Sequence, residues 1–105
     1  MENQHFNDIA RQFAEEYGSS SGHMFGKACL KINNKAFVAL FKGEMVFKLG
    51  RQAIESLRET YPESVNWDPS GKGRAMKDWL QLPIAYEADW SMLAKQSLEF
   101  VRATL

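Results

Sequence analysis

The chain has 105 residues, a length for one domain, and is 45% hydrophobic and 25% charged, so it can bury an ordinary globular core without staples. Its 13 basic residues cancel its 13 acidic ones, which excludes a whole-molecule field steering it to nucleic acid or anionic lipid. The single cysteine, Cys29, excludes an internal disulfide and fits a reducing compartment. The N-terminal stretch MENQHFND has no basic or apolar signal region, and no apolar run approaches the roughly 20 residues that span a bilayer, so a cytoplasmic protein without membrane contact is expected.

Phe6, Ile9, Ala10, Phe13, Ala14 and Tyr17 recur at i, i+3, i+4, i+7, i+8 and i+11, the apolar stripe of a first helix that Gly18 ends. Ser19-Ser20-Ser21-Gly22 reads as a flexible connector. A phosphate-cradling loop would need a strand before it and a helix after it, the reverse of what stands here. From Met24 to Leu49 the chain reads as a three-stranded meander. Asn33-Asn34 suits a two-residue type I′ hairpin because asparagine tolerates positive φ. That turn puts Ala28, Leu30 and Ile32 on one face with Phe37, Ala39 and Phe41. A three-residue loop ending at Gly43 then adds Met45, Phe47 and Leu49 to this face, whereas a loop of even length moves Met45 and Phe47 to the other. The second face carries Lys27, Cys29, Lys31, Val38, Leu40, Val46 and Lys48. Cys29, Val38, Leu40 and Val46 are too apolar as a group to face water, so they form a candidate interface unless one of the chain's own helices covers them.

Ala53, Ile54, Leu57 and Tyr61 mark a short amphipathic helix closed by Pro62, with Arg51, Glu55, Arg58 and Glu59 on a solvated face. Val65-Asn66-Trp67 is short and β-like, and a turn-rich loop, Asp68 to Gly73, follows. Alternation over residues 74–82 predicts a strand closing a second hairpin and stopped by Pro83, with Asp78 as a charge guarding an edge. Trp90, Leu93, Ala94, Ser97, Leu98, Val101 and Leu105 mark a C-terminal helix, with Glu87 or Asp89 near its positive end. The order is α-β-β-β-α-β-β-α, an antiparallel sheet packed by helices in the α+β class, spanning residues 1–105 as a single domain.

No catalytic set assembles from these residues. His5 and His23 are far apart and lack Cys or acidic partners at ligand spacing, so no metal or cofactor is expected. Cys29 lies between Lys27 and Lys31, which could depress its pKa, but no histidine is placed to activate it. Lys72, Arg74 and Lys77 gather near Trp67 and Trp79, and basic residues interleaved with aromatics can grip a nucleic-acid strand through phosphate contact and stacking. A solvated turn has the same composition.

Several stretches carry a resemblance along nearly the whole chain. Met24-Phe25-Gly26 opens a strand after a Ser/Gly stretch, and Lys35 to Leu40, KAFVAL, follows a two-residue turn. Gly43 to Lys48, GEMVFK, resembles a Gly-x-hydrophobic-aromatic-Leu-Lys strand. Met76 to Pro83, MKDWLQLP, resembles a Met-x-x-Trp-x-x-x-Pro segment. In this order they resemble the N-terminal domain of TfoX-type competence regulators and their stand-alone relatives. Ser21, Gly22 and His23 stand where the family often has an arginine, Lys27 where it has a second glycine, and Asn33-Asn34 where it has Asp-Gly or Asn-Gly. The resemblance implies a fold similar to that of secretion chaperones and a regulatory role in bacteria. The leading expectation is thus a non-catalytic interaction domain that binds a protein partner or itself. A small-molecule binder or enzyme with a pocket near Cys29 and His23 is the alternative, and nucleic-acid contact through Lys72, Arg74 and Lys77 is the third reading.

Overall fold

Three two-residue turns set the registers of the sheet. The computed structural model describes residues 4–104, and within them Phe25-Gly26, Asn33-Asn34 and Lys42-Gly43 all have positive φ, as type I′ hairpins require. The elements they join are α1 (Gln4–Tyr17), β1 (Ser20–Met24), β2 (Lys27–Ile32), β3 (Lys35–Phe41) and β4 (Glu44–Lys48). The chain continues through α2 (Arg51–Thr60), β5 (Val65–Asn66), β6 (Trp79–Leu82), a 3-10 turn over Ile84–Asp89 and α3 (Trp90–Ala103). The strands form one antiparallel sheet in the order β1-β2-β3-β4-β6-β5, so the fold is α+β. No helix among the described residues is long and apolar enough to cross a membrane.

The meander has four strands and not three. Ser20 to Gly22, expected within a flexible connector, belong to a strand, Ser20–Met24, paired along its length with β2, because Phe25-Gly26, expected to open the first strand of the meander, is a turn that folds it back. Its composition, Ser-Ser-Gly-His-Met, has little β propensity, so the hairpin and its partner strand hold it in place.

The faces also differ from the expected alternation, for two reasons. Phe41 pairs with Glu44 and Leu40 with Met45, which makes the second turn Lys42-Gly43 two residues long, the even-length alternative. In addition, the β2–β3 register shifts after Leu30, where Leu30 faces Val38 and Lys31 faces Ala36. Phe37 is the extra residue of this bulge, and it and Val38 are both buried in the helix-side core. Leu30, Ile32, Phe37, Val38, Met45, Phe47, Leu80 and Leu82 therefore line one face. That face packs against Phe6, Ile9 and Phe13 of α1, Ile54 of α2 and Trp90, Leu93 and Leu98 of α3. Cys29, Ala39, Phe41, Val46 and Trp79 line the other, gathered around Trp67.

Gly50 connects β4 to α2 at φ +84, and a Cβ there would stand 2.6 Å from Cε1 of Phe100. Only glycine supplies both the left-handed backbone and the space. At the other end of α2, the Tyr61 hydroxyl donates to Asp89 Oδ2 at 2.8 Å, and the Tyr61 ring meets Tyr86 edge-on at 5.0 Å. Burial and this bond push the Tyr61 phenol up to about 12, so it remains a neutral donor that ties α2 to the start of α3.

Candidate functional site

The second sheet face is closed by a loop of its own chain. Trp67 N–H donates to the Trp79 carbonyl at 3.1 Å, and Met76 N–H returns to the Trp67 carbonyl at 2.8 Å. Residues 74–78, expected as strand, form no ladder, the Met76 backbone bonding to Trp67 and Trp79 instead, and β6 begins only at Trp79. Asp68 ties the loop together. Its Oδ1 accepts the Ser70 hydroxyl at 2.7 Å and the Ser70 and Gly71 N–H groups, both at 3.1 Å. Its Oδ2 accepts Gly73 N–H at 2.8 Å and Arg74 N–H at 3.1 Å. The Ser70 hydroxyl, joined by these amides, holds the carboxyl below its ordinary value. The sequence marked Asp68 only as the first residue of a turn; a carboxylate followed by Ser-Gly-x-Gly is the signal that reaches this geometry.

The loop corrects the expected interface. Val38 and Leu40 belong to the helix-side face, Val38 fully buried and Leu40 half-buried, because the bulge moves them there. Val46 and Cys29 are buried beneath Trp67. The four residues are split between the two faces, Val38 and Leu40 under the helices and Cys29 and Val46 under the loop, so they form no common surface. Burial raises the Cys29 thiol, with Lys31 acting weakly in the opposite sense, so the thiol is closed off and un-ionised. His23 pairs with Ala28 while Cys29 pairs with Gly22, which sets His23 and Cys29 on opposite faces and takes away the pocket expected between them. His5 stacks on Trp90 at 5.3 Å, and no group of three His, Cys, Asp or Glu among the described residues could hold a metal ion.

Lys72, Arg74 and Lys77 do not line one groove. Lys72 and Arg74 stand exposed on the Asp68 loop, whereas Lys77 lines a groove against α2. Asp78 guards no edge, since β6 lies between β4 and β5. Its carboxylate accepts Arg51 N–H at 3.0 Å and its carbonyl accepts the N–H groups of Leu49 and Gly50, which fixes the start of α2.

Among the described residues, what remains open is the border formed by β1. The sheet's other edge, β5, is two residues long, whereas β1 runs for five with no charged residue and no proline. A two-residue hairpin closes on a hydrogen-bonded pair, here Met24–Lys27, so alternation turns the N–H and C=O groups of Ser21 and His23 outward. Gly22 gives this edge a second property. A Cβ on it would lie 3.1 Å from Lys31 Cε and 3.5 Å from Lys31 Nζ, so the Lys31 side chain reaches across β1 where glycine leaves room. Lys31 makes no ion pair among the described residues.

Phe25 stands at the end of the same strand. It is 62% exposed, holds φ +53, and meets Trp67 edge-on at 6.1 Å. A bulky residue in the left-handed region costs about 1–2 kcal/mol relative to glycine. Nearby, the ammonium groups of Lys27 and Lys42 lie 5.5 and 5.2 Å from the Phe41 ring centre, and Phe41 also packs on Trp67. The β1 border thus combines unpaired backbone groups, an exposed aromatic and a run of lysines. No protein-family model, curated protein or solved structure matches the chain.

Proposed function

We propose that the chain is a non-catalytic, regulatory interaction domain that docks an extended, acidic segment of a partner protein as an added strand on β1. The observation that carries this reading is the open five-residue edge with the Lys31 ammonium laid across it through the gap at Gly22. Main-chain bonds from Ser21 and His23 supply the affinity of strand addition, and alternate side chains supply its specificity. A carboxylate on the docked strand answers Lys31, and an apolar side chain two residues along reaches Phe25. The resemblance to TfoX-type N-terminal domains, carried partly by Met24-Phe25-Gly26, supports a regulatory role in a bacterial cytoplasm.

Peptides alternating Val with Glu, and the same peptides with Lys for Glu, test the reading by fluorescence anisotropy and amide hydrogen exchange. The acidic series is expected to bind and to protect the amides of Ser21 and His23. Lys31→Met is expected to weaken binding about tenfold, the scale of one charge-assisted contact. Equal binding of the lysine series, or protection anywhere but β1, removes the proposal.

A further inference from the structure

The groove between α2 and the Lys77 end of the Asp68 loop has a cavity volume of about 480 Å³, lined by Arg51, Arg58, Lys77, Gln52, Glu55 and Asn66, among others. Its polar wall is built around one amide. Asn66 Nδ2 donates to the carbonyls of Met76 at 3.2 Å, Lys77 at 3.3 Å and Trp79 at 3.3 Å. Flipping that amide would set its oxygen against three carbonyls, so Asn66 Oδ1 is held toward α2. There it accepts a hydrogen bond from Arg58 Nη2. Arg58 is thereby positioned by a neutral group, which fixes its guanidinium without cancelling its charge. Lys77 makes no ion pair among the described residues, and neither does Glu55, although Glu55 stands three residues before Arg58. Arg51 is tied to Asp78 through Nε at 3.4 Å, with both side chains substantially exposed. The groove wall therefore carries an excess of positive charge on a molecule whose total is zero.

From this arrangement we infer that the groove is a binding site for a small phosphomonoester. The forked donors of Arg58 suit a phosphoryl group, Lys77 supplies a point charge opposite, and the cavity has the size of a small organic phosphate. The buried Ile54 side chain gives the organic part an apolar floor. A polyanion is disfavoured by the same geometry, because nucleic acid needs a track of cations, and Lys72 and Arg74 are not part of the groove. This site is separate from the β1 border, so either can fail without the other.

The test is NMR titration of the full chain with phenyl phosphate, inorganic phosphate, sodium chloride and a 12-nucleotide single strand. Phenyl phosphate is expected to shift the Asn66 side-chain amide and the Arg58 Nε resonance and to bind more tightly than inorganic phosphate. Arg58→Gln and Lys77→Gln are each expected to weaken it about tenfold while the far-UV circular dichroism and melting temperature stay close to those of the parent. Asn66→Ser, which keeps Arg58 but releases its orientation, is expected to weaken phenyl phosphate more than it weakens inorganic phosphate. Three results overturn the inference. They are shifts that chloride reproduces, phenyl phosphate affinity unchanged in Arg58→Gln, and an oligonucleotide whose binding depends on Lys72 and Arg74 as strongly as on Arg58.

Discussion

Phe25 and Gly50 share a left-handed backbone and differ in what occupies the side chain's place. At Phe25 a large ring is held exposed in a conformation that disfavours it. Phe25→Asn keeps the turn and relieves the strain, so it is expected to raise stability by about 1 kcal/mol in urea denaturation while weakening acidic-peptide binding. An unchanged or lowered stability would mean that the contact with Trp67 outweighs the backbone cost. At Gly50 both the φ angle and Phe100 oppose a side chain, and Gly50→Ala is expected to cost about 2–4 kcal/mol. Adding Phe100→Ala should ease the steric share alone, which a double-mutant cycle reads directly. Asp68 makes a pH prediction. Its carboxyl is held below the unfolded value near 3.9, so the loop's stabilisation is present above that pH and is lost as the pH falls through the depressed folded value. Fluorescence of the tryptophans followed from pH 5 to pH 2 should show this step, and Asp68→Asn should lack it.

Each element here is held in place by a neighbour more than by its own propensity. The loop from Trp67 to Asp78 has almost no regular structure, yet it does for one face what three helices do for the other. Trp67 is fully buried at its centre, and its indole N–H has no hydrogen-bond partner among the described residues. Trp67→Ala is expected to cost about 3–5 kcal/mol. It should also open Cys29 to a thiol reagent, measured as the rate of reaction in the native state against a denatured control. Trp67→Phe should be milder, because it keeps a ring in the cluster and removes the orphan donor. A Cys29 as unreactive in Trp67→Ala as in the parent would show that the face has other cover. β1 shows the same dependence, since its residues would not form a strand alone and follow the turn at Phe25-Gly26.

For the whole molecule, both faces of the sheet are closed by the chain itself, which leaves β1 as the long open border. Stability should accordingly decline from the centre of the sheet toward that border. Native-state hydrogen exchange is expected to be slowest in β3, β4 and β6 and faster at Ser21 and His23 than anywhere in those central strands. Uniform protection across the sheet would point to an edge already covered in solution. The strand order explains the gradient, because β3 and β4 have neighbours on both sides and layers above and below.

Periodicity and turn chemistry alone were sufficient for α1, α2, α3, the Asn33-Asn34 hairpin and the α+β class. Each of these rests on contacts within a few residues, or on an apolar stripe that needs something to bury it. The bulge at Phe37, the length of the Lys42-Gly43 turn and the strand character of Ser20–Met24 depended on partner strands. A one-residue shift in pairing reverses every side chain beyond it, which is why Val38 and Leu40 moved to the helix side. The candidate sites were less legible still. Arg58, Asn66 and Lys77 come from separate stretches, and Lys31 reaches the border across Gly22, which lies diagonal to it on β1 and has no side chain in the way. Local sequence carries the cost of each conformation, but which distant groups meet is decided when the sheet pairs and its faces close.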